Sequence, residues 1–289
     1  MNHLQEAHIK TFSVTLGTLS VHLISDGVFS LDGGVLFGVV PKTLWSSKVA
    51  PDRKNRVVLG LNSLLIQTGV KNILVDPGIG TKLSLNRKSL YDAKCGRLLT
   101  GLKELGLEPS DINLVVLTHL HFDHAGGCTY FNNWGRPVLT FPIATHIVQQ
   151  SEWEEATHTN ERTNAAYSSE DFRPLQEQGK LELINGDIEI SPGILVTRTG
   201  GHTSGHQGIV IQSKGETAAY LGDILPTPHH VRLPYITAAD LEPLKTLRKK
   251  RELLDQAETE RWLLLFGHGL DQKYGYLENV DGKLALKTC

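Results

Sequence analysis

The sequence predicts a layered α/β domain. Strand-like and helix-like segments alternate along all 289 residues, and short apolar runs recur, several stopped by a glycine-bearing turn. A hydrophobic content of 40% with 21% charged residues suits a globular chain of this size, which buries most of its unfolded surface without staples. No repeat at a solenoid period and no low-complexity linker interrupts the pattern.

Taken in order, Thr11 to Ile24 alternates and is rich in Val, Leu and Thr, with Gly17 as the turn of a hairpin. Ser25 to Pro41 is glycine-rich and apolar and reads as a long loop or hairpin. It is either a structural connection or a flap over a site, with Leu36, Phe37 and Trp45 offering apolar contact to a ligand. Leu61 to Thr68 and Asn72 to Val75 read as paired strands stopped by Asp76-Pro77-Gly78. Arg97 to Leu107 has the helical period, and Leu114 to Leu117 is a buried strand. Thr145 to His158 is expected to be helix, and Glu161 to Gly179 a polar surface excursion. Ile194 to Thr199, Gly208 to Ser213 and Ala218 to Leu221 read as strands. Leu241 to Ala257 is an amphipathic helix that Asp240 can cap, and Trp262 to Phe266 a last apolar strand. Residues 25–60 are thus taken as an N-terminal loop or flap region, and 61–268 as the core of a single domain spanning 1–289.

Composition excludes several classes. A net charge of −2, without acidic or basic blocks, gives no broad attraction for nucleic acid or anionic membrane. Cys95, Cys128 and Cys289 are scattered and odd in number, so no disulfide framework or CxxC knuckle follows. Met1 to Lys10 lacks the apolar core of a signal peptide, and no apolar run approaches membrane-spanning length, so the expected compartment is the cytoplasm. There is no G-x-S-x-G elbow, no G-x-G-x-x-G and no Walker A element, so neither a serine nucleophile nor a nucleotide cofactor is expected. Cys128 lies near the histidine motif but reads as a buried structural thiol.

The chemistry sits in the histidines, which number 13 and fall in short clusters. Thr118-His119-Leu120-His121-Phe122-Asp123-His124 follows a buried strand and precedes Ala125-Gly126-Gly127. At a strand end, His119 and His121 point the same way because side chains repeat every two residues. Asp123 and His124, on the turn, are free to face a second point. Imidazole with carboxylate is the usual ligand set of catalytic zinc. A merely histidine-rich surface loop would need neither the preceding apolar strand nor this spacing. Gly200-Gly201-His202-Thr203-Ser204-Gly205-His206, Gly222-Asp223 and Gly267-His268-Gly269 each follow a strand in turn, and their glycines let backbone turn sharply near an ion.

THLHFDHAGG, GGHTSGH, LGD and FGHG, in that order from Leu61 to His268 and preceded by LVDPG, resemble the metallo-β-lactamase superfamily. The resemblance implies a four-layer αββα sandwich with metals at one edge. Carried over by position, His119, His121 and His202 hold one metal. Asp123, His124 and His268 hold the other, and Asp223 bridges them. Asp76 supports the ligands, and His206 supports its loop. The complete set implies two divalent ions, most simply zinc, with Mn, Fe or Co as alternatives. Two ions about 3.5–4 Å apart share a water and lower its pKa from about 15.7 to near 7. Asp123 is expected to carry a proton from that water to the leaving group.

TGGHTSGHQ and LGDILP resemble the branch holding N-acyl-homoserine lactonases and methyl parathion hydrolase-like enzymes. That implies a small-molecule lactone, organophosphate or aryl ester as substrate. A β-lactam or thioester is the alternative within the fold, and iron-dependent oxidoreduction the alternative outside hydrolysis. Lactonases of this branch carry a tyrosine three residues after the bridging aspartate, where this chain has Pro226. Phe37, Trp45 and Tyr235 are the expected substrate contacts, Tyr235 also as a replacement for that tyrosine. His229 and His230 read as solvent-exposed residues near the pocket. By resemblance, a homodimer built partly from the N-terminal segment is expected, with no nucleic-acid or membrane partner.

Overall fold

The computed structural model describes residues 10–280 and 283–287. The start of the N-terminal segment assigned to the dimer and Cys289 lie outside these residues. Two seven-stranded sheets stack face to face. The first contains β1 (Phe12–Leu16), β2 (Leu19–Asp32), β3 (Arg56–Gln67), β4 (Asn72–Val75) and β5 (Leu114–Val116). A short hairpin, β6 (Thr129–Phe131) with β7 (Pro137–Leu139), stands apart before β8 (Thr145–Gln149) and β9 (Leu181–Ile184) complete that sheet. The second sheet runs in chain order: β10 (Ile188–Ser191), β11 (Ile194–Arg198), β12 (Gln207–Ser213), β13 (Glu216–Tyr220), β14 (Leu263–Leu265), β15 (Tyr274–Val280) and β16 (Lys283–Lys287).

Strand periodicity explains the layers. Leu64, Ile66, Ile73, Val75, Val116 and Ile147 of the first sheet face Ile194, Val196, Ile209, Ile211, Tyr220 and Leu265 of the second in one buried cluster. The intervening Leu65, Leu74, Val115 and Val148 point the other way, because alternate side chains leave opposite faces. They meet helices α4 (Leu98–Glu104), α6 (Gln150–Thr157) and α7 (Ser169–Glu177). Val210, Ala219 and Leu264 likewise meet α8 (Pro243–Thr259). The result is the expected αββα sandwich. The smaller helices α1 (Gly33–Phe37), α2 (Lys42–Trp45), α3 (Leu85–Tyr91) and α5 (Phe122–Ala125) lie in the connections.

Several elements differ from the sequence reading. Ser25 to Asp32 is not loop but the continuation of β2, paired with β3 through a register shift between Ser25 and Gly27. Gly27 takes φ 137 there, beside the Lys94 carbonyl, where a Cβ would collide. Residues 25–32 and 56–60 therefore belong to the first sheet rather than to a flap. Thr145 to Gln149 is strand, and the helix starts only at Gln150. Ser169 to Glu177 forms helix within the supposed excursion, burying Phe172 and Leu175. On α8 the buried face is Thr246, Lys250, Leu253, Leu254 and Ala257, while Leu244 is exposed. Asp240 does not cap that helix, because its carboxylate is engaged elsewhere.

Candidate metal centre

Strand direction assembles the site. β4 and β5 run parallel, as do β13 and β14, while β11 shares the direction of β13 through two antiparallel steps. The loops after these strands' carboxyl ends therefore emerge at one edge of the sandwich, the usual place for a site in parallel α/β structure. They carry Asp76, His119 to His124, His202, Asp223 and His268.

Among the described residues three groups stand out, the donor atoms within each lying within 4.8 Å of one another: His119, His121 and His202; His119, His124 and Asp223; and Asp123, His124 and His268. Asp223 joins the groups oxygen by oxygen. Its Oδ1 is 3.3 Å from both His124 Nε2 and His268 Nε2, and its Oδ2 is 3.4 Å from His202 Nε2. Asp123 Oδ2 stands 3.7 Å from His268 Nε2 and 3.9 Å from His124 Nε2.

The donor set fits cations. His268 Nε2 faces His124 Nε2 at 3.2 Å, and His202 Nε2 faces His121 Nδ1 at 3.3 Å. Because His124 and His268 each commit Nδ1 as a donor, neither neutral ring carries a proton on Nε2, and a cation or proton shared between these two nitrogens relieves their repulsion. His119 Nε2 and Asp223 Oδ1 are buried without a hydrogen-bond partner, a costly arrangement unless something coordinates them. Burial, reinforced by neighbouring imidazoles, pushes the His119 and His121 pKa values well below the ordinary histidine range, which keeps both neutral. Burial alone would raise the Asp223 pKa, but facing His124 and His268 hold it well below the carboxylate range. A divalent ion requires neutral imidazole and ionised carboxylate. His119, His121 and Asp223 are drawn to those states, whereas at His124, His202 and His268 burial opposes protonation but the facing carboxylates raise the pKa, so a proton and an ion are alternatives there.

Partners fix each ring's orientation. His124 Nδ1 donates to Asp76 Oδ2 at 2.8 Å, His202 Nδ1 to Asp240 Oδ1 at 2.9 Å, and His268 Nδ1 to the Gly60 carbonyl at 2.9 Å. His119 Nδ1 is 3.0 Å from Thr118 Oγ1, whose hydroxyl donates to Asp76 Oδ2 at 2.7 Å. Each ring so held turns Nε2 towards the cluster, the arrangement that tunes metal-binding histidines. His206 instead takes the Asp223 amide on its Nε2 at 3.0 Å and meets Thr199 Oγ1 at 2.6 Å, so it shapes the loops. Sequence reading assigned Asp240 to the helix and gave no role to Glu152. Asp240 lies far along the chain from His202, and nothing in its local sequence marks it as that ring's partner.

A cavity of about 200 Å³ opens on the cluster, lined by His121, Asp123, His202, Asp223 and His268. One wall is apolar: Phe29, Leu31, Leu36, Leu59 and Phe122, with Tyr91. Arg162, Ala165, Ala166, Thr237 and Ala239 also line the cavity. Arg162 ties across to the Ala238 carbonyl at 2.9 Å.

The expected substrate contacts are placed differently. Phe37, Trp45 and Tyr235 do not line this cavity; they pack behind its apolar wall, with exposures of 0%, 2% and 6%. Phe37 stacks on Trp45 at 5.0 Å and on His230 at 5.5 Å. These large rings fill the space beneath α1, so Leu36, their neighbour, reaches the cavity instead. Tyr235, expected as a replacement for the missing tyrosine, is not among the residues that line the cavity, whereas Pro226 is. His230 is buried rather than exposed, its Nε2 donating to the Leu36 carbonyl at 3.0 Å. His229 is partly buried and lies outside the lining. Among the described residues no helix is long and apolar enough to cross a membrane.

Residues 56–268 match the model of the metallo-beta-lactamase superfamily. An N-acyl homoserine lactonase of Bacillus thuringiensis subsp. kurstaki is 29% identical over 222 residues, covering 72% of this chain and 81% of that protein. An N-acyl homoserine lactonase of Rhizobium radiobacter is 31% identical over 178 residues, 59% of this chain and 63% of that protein. Among solved structures, a probable metal-dependent hydrolase from Staphylococcus aureus superposes with a TM-score of 0.86 at 33% identity, over 96% of this chain and 99% of that one.

Proposed function

The chain belongs to the metallo-beta-lactamase superfamily, and from that footing we propose that it is a two-metal, zinc-dependent hydrolase of a small ester-like substrate, a lactone first. The observation that carries the reading is Asp223, whose two oxygens face two separate histidine groups. His119, His121 and His202 would hold one ion, Asp123, His124 and His268 the other, and Asp223 would serve both. When bound, the pair of ions supplies an activated water at neutral pH and draws charge from the substrate oxygen.

The protein's own groups do the rest. Asp123 lines the cavity beside His268 and carries the proton from the attacking water to the leaving oxygen. Phe29, Leu31, Leu59 and Phe122 bind the apolar part of the substrate and exclude water from one side. Lactone is favoured because the curated relatives named above are N-acyl homoserine lactonases. Pro226, which lines the cavity, offers no hydroxyl to a developing oxyanion at that position.

The test is hydrolysis by protein reconstituted with zinc, manganese or cobalt. The panel holds acyl-homoserine lactones, a phosphotriester, aryl esters, a β-lactam and a glutathione thioester. Turnover of the lactones above the rest is expected. Turnover confined to the β-lactam or the thioester overturns the substrate assignment. Fewer than two ions per chain overturns the two-metal reading.

A further inference from the structure

The strongest unassigned group in the molecule is a carboxylate behind the metal centre. Glu152 sits in the first turn of α6 and is fully buried. Its Oε1 accepts the Leu120 amide at 2.9 Å and the Tyr167 hydroxyl at 3.2 Å. Its Oε2 accepts the Thr203 hydroxyl. Leu120 lies between His119 and His121, and Thr203 follows His202. The Tyr167 ring stands edge-on to His121, 4.9 Å between centroids. Each of these contacts therefore reaches a residue next to, or packed on, a member of the same triad. None reaches Asp123, His124, Asp223 or His268.

We infer that Glu152 is a positioning residue for one ion of the pair, holding the His119, His121 and His202 site in register while leaving the other site to different supports. This rests on the two-metal reading above. The physical reason is convergence. His119 and His121 come from the first sheet and His202 from the second, and a single carboxylate on α6 takes a hydrogen bond from both loops. A buried carboxylate accepting such bonds resists displacement, because breaking any one leaves a buried group unsatisfied.

The rest of α6 supports the same fit. Glu155, one turn along, accepts the Ser204 amide at 2.9 Å and the Ser204 hydroxyl at 2.5 Å. Gly205 lies against the Glu152 backbone, so closely that a Cβ there would strike the Glu152 nitrogen. The loop carrying His202 is thus pressed onto the start of α6. The other site has its own supports: Asp76 holds His124, and the Gly60 carbonyl holds His268. Asp76 reaches His119 only through Thr118.

The inference is tested by zinc affinity in competition with a chromogenic chelator, so that binding and not turnover is read. Wild-type protein is first shown to take two ions; if it takes fewer, the two-metal reading falls and Glu152 is not at issue. Glu152→Ala is then placed in two backgrounds. His268→Ala cripples the second site and leaves the His119, His121 and His202 site to be measured. His202→Ala does the reverse. The expected result is a loss of roughly 10–100-fold in the His268→Ala background and a change below about twofold in the His202→Ala background. Glu152→Gln, which keeps an acceptor for Leu120 and Tyr167, should restore most of the loss. Should Glu152→Ala not fold, Thr203→Val removes one arm alone and must show the same asymmetry. Equal weakening in both backgrounds, or none in either, overturns the inference.

Discussion

Asp123 and Asp223 are both cavity-lining carboxylates, yet their neighbours give them different work. Asp223 is pinned between histidines by both oxygens, whereas Asp123 Oδ2 lies 3.7 Å from its nearer imidazole nitrogen and faces the cavity. Asp123→Asn keeps a coordinating oxygen but cannot accept and return a proton. Turnover should therefore fall by roughly 10²–10⁴-fold while metal content, measured by elemental analysis, stays near two ions per chain. Equal loss of both would reduce Asp123 to a ligand. At this scale the sequence was legible where residues declare their chemistry locally, as in the run from His119 to His124. Asp240 was read as a helix cap because it precedes an amphipathic run. The fold uses it on His202 instead, a partner 38 positions away. Glu152 was invisible because Gln150-Ser-Glu-Trp-Glu reads as an ordinary stretch of the helix expected from Thr145, and only the tertiary approach of two loops makes its carboxylate matter.

Among the elements, the apolar wall is where pattern misled and physics explains. Ser25 to Pro41 read as a long loop or hairpin, either a connection or a flap, because glycines and apolar residues mix there. In the fold they build the end of β2 and the short α1, over a layer of Phe37, Trp45 and Tyr235. His230 fastens that layer from below, donating to the Leu36 carbonyl while its Nδ1 meets Thr227 Oγ1 at 2.8 Å. Burial, with the neighbouring Lys250 charge, lowers its pKa to about 3. In the unfolded chain the ring takes up its proton near pH 6.5. Its contribution is thus complete above pH 6.5 and is lost progressively as pH falls towards 3, on the order of a few kcal/mol. His230→Gln, which does not titrate, should make the melting temperature less dependent on pH between 6.5 and 4. A variant curve parallel to that of the wild type would place the acid sensitivity elsewhere, for instance at His146, whose pKa burial lowers to about 4.

At the scale of the whole molecule, the candidate ligands divide between the sheets. His119, His121, Asp123 and His124 follow β5 of the first, and His202, Asp223 and His268 follow β11, β13 and β14 of the second. Away from this edge the sheets are joined by apolar side chains from Leu64 to Leu265. At the edge, polar groups replace that contact, and His119 Nε2 is buried without a hydrogen-bond partner. The αββα order was readable from alternation along each strand, but the convergence of the candidate ligands depends on which strand ends coincide, which no single segment records. Bound ions should therefore act as a clasp between sheets. An ion held at about a thousand times its dissociation constant stabilises the fold by about 4 kcal/mol. For a chain of this size that is a rise of roughly 7 °C in melting temperature. Stripping with a chelator should lower the transition by at least that much and speed amide exchange in the loops after β5, β11, β13 and β14, while the core between the sheets stays protected. The increment should also shrink in acid. Burial opposes protonation of His124, His202 and His268, but facing carboxylates raise their pKa values, so protons compete there for the same nitrogens. A chelator that left both the melting temperature and the exchange pattern unchanged would mean that the sheets meet without a clasp, and that this edge holds no ion of structural consequence.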